Sequence, residues 1–190
     1  MFNFPQKIVI FDTEYTSWEG AMQRQWSGPN EYREIVQIGA ILVETENFTE
    51  LDAVTLFVGP VKNPQLSEFF INLTGITQEE LDREGTDYSI ALEKFSQWSE
   101  GRELHCFGID GEVMKENADL INIGFPFEMS RFKNLREFFK QYGIPSDDYM
   151  SSTLVQAFGK KNERREHNGL ADARNLADAL KFLKERESAS

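Results

Sequence analysis

The stretch Ile8-Val9-Ile10-Phe11-Asp12-Thr13-Glu14 places an apolar, largely β-branched run directly before two carboxylates separated by one residue. A short run of this kind, without helical spacing, predicts a strand buried on both faces. Buried strands of this type belong to parallel or mixed sheets, whose ligands bind at the carboxyl edge. Side chains at i and i+2 of an extended backbone point the same way, so Asp12 and Glu14 face one small volume. Two carboxylates held that close repel each other unless a proton or a cation lies between them. A divalent metal is the simplest occupant. A lone D-x-E arises often by chance, so its weight depends on the rest of the chain.

Working outward, Glu34–Glu44 is a second apolar run, and Val54–Val58 a third, closed by Gly59-Pro60. The short connection between them predicts an antiparallel meander. Asp87–Ser99 carries Ile90, Ala91, Phe95 and Trp98 at helical spacing, and Glu103–Phe107 reads as a fourth strand. A helix is expected from Asp110 to about Ile121, and a short fifth strand near Phe125–Met129. Leu135, Phe138 and Phe139 define another helix, stopped by Gly143 and Pro145. A last helix runs from about Gly169 to Glu185, with Leu170, Ala173, Ala177, Leu180 and Leu183 on one stripe, leaving Glu187–Ser190 as a frayed tail. Strands first, then strand–helix alternation, predict an α/β domain with a mixed sheet.

At 190 residues the chain is the length of a single domain with a substantial core. Its one cysteine, Cys106, forms no internal disulfide, which fits a reducing, cytoplasmic setting. No apolar stretch approaches the roughly 20 residues that span a bilayer, and the N-terminus lacks a basic-then-apolar signal, so no membrane partner is expected. The formal net charge of −12 argues against a protein that coats duplex nucleic acid through a broad basic face. It leaves open a site that grips one or two nucleotides through metal ions and a few local cations, because the ligand acids themselves add to the negative count.

Further features accompany the opening pair. Asp110 follows the fourth strand in Phe107-Gly108-Ile109-Asp110, where a plain helix N-cap is the simplest role. His167 precedes Asp172 by five residues, about 500° of helix, so the two would point some 140° apart. They share a site only if His167 lies outside the helix, and the turn-prone Asn168-Gly169 supplies that break. Leu73-Thr74-Gly75-Ile76-Thr77 is a turn before an acidic helix, with Thr77 as N-cap and Glu80 completing a capping box. The same turn suits a floor for a base and ribose. Lys160, Lys161, Arg164 and Arg165 form the densest basic cluster, either a solvated loop or an attractor of substrate phosphates. Trp18, Trp26 and Tyr32, within the long segment Tyr15–Arg33, either stack on a terminal base or pack that loop down.

Phe11-Asp12-Thr13-Glu14, Leu73-Thr74-Gly75-Ile76, Phe107-Gly108-Ile109-Asp110 and His167 followed by Asp172-Ala173-Arg174 stand in one order along the chain. Together they resemble the motifs of the DEDDh, DnaQ-like family of 3′–5′ exonucleases, and Glu34–Ala40 resembles that family's second strand. The resemblance runs from Ile8 to Leu183 and is strongest to the small RNA-trimming, histone-message and KapD-like subgroup. It implies a ribonuclease H-like mixed five-stranded sheet flanked by helices, forming one exonuclease domain. It implies that Asp12, Glu14, Asp110 and Asp172 hold two Mg²⁺ or Mn²⁺ ions, a choice consistent with hard oxygen ligands and no sulfur. His167 is then the general base, carried on a glycine-flanked loop that lets it swing in. Tyr15, Thr16, Leu73, Thr74, Ile76, Arg164 and Arg165 are the expected substrate contacts. The implied reaction removes nucleoside 5′-monophosphates from a single-stranded 3′ end, with RNA favoured over DNA. A DNA-directed proofreading enzyme is the alternative, and a silent binding module would be expected to lack one of the acids or the histidine.

Overall fold

The computed structural model describes residues 2–189. Strands β1 (Lys7–Tyr15), β2 (Ile35–Glu44), β3 (Thr49–Phe57), β4 (Leu104–Cys106) and β5 (Phe132–Asn134) form one sheet in the order β3-β2-β1-β4-β5. The β1–β2 and β2–β3 pairs are antiparallel, whereas β1–β4 and β4–β5 are parallel. The helices are α1 (Glu68–Thr74), α2 (Gln78–Glu84), α3 (Tyr88–Ser99), α4 (Asp110–Leu120), α5 (Leu135–Gln141) and α6 (Gly169–Ser188). No helix among the described residues is long and apolar enough to cross a membrane.

The unbroken apolar character of β1 follows from a core on each face. Ile8 and Ile10 pack with Ile41 and Val43 against Leu176, Ala179, Leu180 and Leu183 of α6. Val9 and Phe11 pack with Ile38 and Ala40 against Ala91, Leu92 and Phe95 of α3 and Val113, Met114 and Ala118 of α4. Burying each large side chain contributes about 1.5–3 kcal/mol. Both layers are therefore needed to order the central strands.

Several element boundaries differ from the sequence expectation. The fifth strand is Phe132–Asn134 rather than Phe125–Met129. Pro126 interrupts the earlier run and cannot donate to a ladder, and Phe125 and Phe127 instead pack on Phe132 at 6.0 and 5.7 Å between ring centroids. Strand β3 begins at Thr49 rather than Val54; as an edge strand it carries exposed residues that an apolar-run criterion passes over. Helix α1 was not anticipated. Its Ser67 hydroxyl accepts from Phe70 N at 3.0 Å, and Gly75, at φ 73°, donates its N–H to Ile71 O at 2.8 Å to end it. Helix α6 continues to Ser188, so Glu187 and Ser188 are helical rather than frayed, and Ser190 lies outside the described residues.

One close approach positions everything that follows. Gly39 stands opposite Asp12 in the β1–β2 register. A Cβ at Gly39 would collide with the backbone of Gly169 and Leu170, at the start of α6. Helix and strand therefore meet backbone to backbone. Gly39→Ala is expected to destabilise the fold by about 2–3 kcal/mol, read as a lower urea midpoint, whereas Gly124→Ala, whose Cβ would meet nothing within 4 Å, shifts it by less than about 0.5 kcal/mol.

Candidate active site

Asp12 and Glu14 share the face of β1 that carries Ile8 and Ile10, which is the face covered by α6. The first residue of α6, Gly169, donates its N–H to Gln37 Oε1 at 2.8 Å. A Cβ on Gly169 would lie 2.9 Å from Asp12 O and 3.0 Å from Gly39 N. One turn into the helix, Asp172 reaches the pair. One carboxylate oxygen from each of Asp12, Glu14 and Asp172 falls within 4.8 Å of the others. Thr13 faces the opposite side, where its N–H and hydroxyl both donate to Asp110 Oδ1, at 3.2 and 2.7 Å. Asp110 is thus not the N-cap of α4. Ile109 takes that position without a side-chain bond, and the Asp110 carboxylate is turned to β1 instead.

All four acids are buried. Burial pushes the Asp12 carboxyl well above the usual carboxylate range, and the charges of Asp110, Asp172 and Glu14 push it further. Glu14 is raised in the same way, by burial and then by Asp172 and Asp110. Asp110 is raised by burial, partly offset by the two Thr13 bonds. Asp172 is pushed up to about 7, chiefly by burial, with the His167 and Asn168 N–H groups working against it. Asp172 Oδ1 is buried with no hydrogen-bond partner. Converging carboxylates, an orphaned oxygen and the absence of sulfur from the group fit a hard divalent cation.

His167 lies outside α6 at φ 56°, followed by Asn168, whose side chain caps the helix by accepting from Ala171 N at 3.1 Å. Half-buried, it borders the cleft, and burial holds its imidazole below the usual histidine pKa despite the neighbouring charge of Glu166. The break that frees His167 from the helix is therefore as expected. Its cause is not a loose glycine, because Gly169 is buried and wedged between β1 and β2.

The acids and His167 open into a cleft of about 350 Å³. Tyr15 and Leu73 line it, as anticipated. Trp26 lines it too, and also pins its loop, donating Nε1–H to Thr16 O at 2.9 Å and packing edge-on to Tyr15 at 5.3 Å. Trp18 and Tyr32 are not among the lining residues. Neither are five of the anticipated substrate contacts. The Thr16 hydroxyl donates to Tyr32 O and accepts from Glu34 N, closing the base of the Tyr15–Arg33 loop. The Thr74 hydroxyl donates to Phe70 O and accepts from Ile76 N, and Ile76 is buried with Val36, Phe70 and Leu81. Arg164 pairs with Asp178 at 2.6 Å, and the Arg165 guanidinium covers Gly75. Residues missed from sequence are Ser17, Met22, Phe70, Arg136, Met150 and Ser151. They come from segments without a motif, and the available signal was topological: Arg136 follows the carboxyl end of β5, a strand expected elsewhere.

A family model described as RNase_T, exonuclease, matches residues 9–180. The 3′-5′ exoribonuclease 1 of Rattus norvegicus is 29% identical over 182 residues, covering 90% of this chain and 50% of the relative. The ERI1 exoribonuclease 2 of Homo sapiens is 25% identical over 195 residues, covering 90% of this chain and 27% of the relative. The chain thus spans about half the length, or less, of these curated relatives. Among solved structures, the nuclease domain of 3′hExo, a DEDDh family member bound to rAMP, superposes with a TM-score of 0.80 at 25% identity, covering 96% of this chain and 94% of that one. E. coli exonuclease I bound to a dA16 oligonucleotide shares the fold, with a TM-score of 0.69 at 14% identity.

The raised carboxyl pKa values give a signed prediction. Favourable protonation of these acids is present below the ordinary carboxylate range and is lost as pH rises through their folded values, near 7 for Asp172. A cation binds the deprotonated acids and relieves that loss. Saturating Mn²⁺ or Mg²⁺ should therefore raise Tm by about 5 °C or more at pH 8, by less at pH 5.5, and by little at either pH in Asp12→Asn, as read by thermal melts against EDTA.

Proposed function

The chain belongs to the RNase T family of exonucleases, and we propose that it is a metal-dependent 3′–5′ exoribonuclease releasing nucleoside 5′-monophosphates from single-stranded 3′ ends. The observation that carries this reading is the buried convergence of Asp12, Glu14 and Asp172 beside a half-buried His167. Relatives named exoribonucleases support RNA over DNA as the substrate, and the order and wording of the four sequence motifs are the basis for proposing a place in the small RNA-trimming, KapD-like subgroup. We take the 190 residues as one exonuclease domain, with buried Cys106 suited to a reducing cytoplasm.

Asp12, Glu14 and Asp172 would hold Mg²⁺ or Mn²⁺, with Asp110 assisting at a second ion. When bound, the ions supply Lewis-acid activation of the attacking water and neutralise charge on the departing 3′ oxygen. The protein's own part is orientation and proton transfer. Thr13 fixes Asp110 through two donors, and the docked start of α6 fixes Asp172. Burial favours the neutral form of the His167 imidazole, which leaves a ring nitrogen to accept the water's proton as the new P–O bond forms. Tyr15, Trp26, Met22 and Leu73 offer an apolar surface for the terminal base and sugar.

Digestion of 3′- and 5′-labelled single-stranded RNA and DNA tests the reading. RNA shortened stepwise from its 3′ end, only with Mg²⁺ or Mn²⁺, is the expected result; internal cuts or activity in EDTA would overturn it. Asp12→Ala should abolish hydrolysis without unfolding the protein. His167→Ala should slow hydrolysis by about 10²–10⁴-fold while keeping the metal-dependent rise in Tm.

A further inference from the structure

We infer that Arg136 is a substrate-positioning residue that binds the phosphate next to the scissile one, an inference that rests on the exonuclease reading above. The argument begins with topology. Strands β1, β4 and β5 are adjacent and parallel, so their carboxyl ends open onto one edge of the sheet. Asp12 and Glu14 lie at the end of β1, Phe107 and Asp110 follow β4, and Arg136 lies two residues beyond the end of β5. Arg136 lines the cleft and is the one arginine or lysine that does so among the described residues.

The guanidinium is displaced from the acids in a consistent direction. It lies over the Phe107 ring, 4.4 Å from the centroid, at the end of β4. That is one strand away from β1, roughly 5 Å across the sheet. A phosphate engaged by the acids of β1 leaves this cation to the neighbouring phosphate of the same strand.

The fork is also prepared for an anion. Nη1 donates to Ser146 O at 3.1 Å and stands 3.7 Å from the exposed carboxylate of Asp147, which is nearer to Lys140 at 2.9 Å. Nε and Nη2 meet no acceptor among the described residues. Stacking on Phe107 and the Nη1 bond fix the guanidinium plane, leaving the N–H groups of Nε and Nη2 for a phosphate. Holding the Ser146–Asp148 turn is not enough to account for this arrangement, because Ser146 Oγ already donates to Arg136 O at 2.8 Å. Ile109 and Met150, both large, exposed and bordering the cleft, provide apolar surface for the base attached to that phosphate.

The test removes the charge from each side in turn. The substrate is a short single-stranded RNA carrying one uncharged methylphosphonate at the phosphate next to the scissile one, and first-turnover rates are followed over a range of RNA concentrations. For the native protein this replacement should raise KM roughly 10–100-fold, the range of one charge-assisted hydrogen bond, and change kcat little. Arg136→Met should lose as much on unmodified RNA and lose nothing further on the methylphosphonate. Arg136→Lys should recover part of the loss and regain sensitivity to the methylphosphonate, and its metal-dependent rise in Tm serves as the folding check. Additive losses, or an unchanged KM for Arg136→Met on unmodified RNA, would overturn the inference. A native protein that fails to shorten unmodified RNA refutes the exonuclease reading instead, so the two failures are distinguishable.

Discussion

The backbone of α6 rests directly on the backbone of β2 at Gly39, across from Asp12, and the site depends on that contact. Helices usually stand off from their neighbours by 8–10 Å because side chains fill the interface. Here glycine on both elements removes that spacer at one end of the helix. Gln37 then fixes the docked end by accepting the Gly169 N–H. Further along, Leu176, Leu180 and Leu183 restore a conventional apolar interface with Ile8, Ile10, Ile41 and Val43. Asp172 lies between these regimes, close enough to the sheet to reach Asp12 yet on a helix held rigid by its apolar stripe.

Placing Asp172 there works against stability unless a cation is present. Each acid loses hydration, and each raises the protonation tendency of its neighbours. The fold offers them few compensating donors. Thr13 serves Asp110 twice, the Ser151 side chain serves Asp12, backbone N–H groups serve Asp172, and one Asp172 oxygen is left with nothing. The two apolar layers on either side of the sheet supply the stability that tolerates this arrangement. Such a site is preorganised for positive charge, so little rearrangement is needed when a cation binds. A site relaxed in the metal-free state would have to spend binding energy on moving its ligands.

The same physics separates what was legible in the sequence from what was not. The β1 run and its paired acids were legible because the period of an extended strand is fixed, and the face they share follows from counting. The position of His167 outside α6 is legible because five residues of helix cannot bring it beside Asp172. Thr16, Thr74 and Ile76 are different: their motif positions are near the cleft, but local hydrogen bonds and a small core turn their side chains away. Nothing in a one-dimensional pattern states that preference. The role of Arg136 was hidden for a related reason. Strand β5 is three residues long, too short to show a period, and the aromatic run around Pro126 imitates a strand upstream of it.

On the exonuclease reading proposed above, the charge distribution accounts for how an acidic protein would act on a polyanion. Outside the cleft, many of the cations are already engaged by carboxylates, including Arg24 by Glu31, Arg33 by Glu116, Arg164 by Asp178 and Arg174 by Glu50. A surface of this kind does not track a long phosphate backbone. Affinity is instead concentrated where the acids present a cation site and Arg136 presents a fork, within a cleft of about 350 Å³. With Arg136 the one arginine or lysine lining the cleft among the described residues, counterion release would contribute little and the dependence of binding on salt would be shallow. On the same exonuclease reading, recognition would therefore favour an unpaired end that can enter the cleft over the interior of a strand.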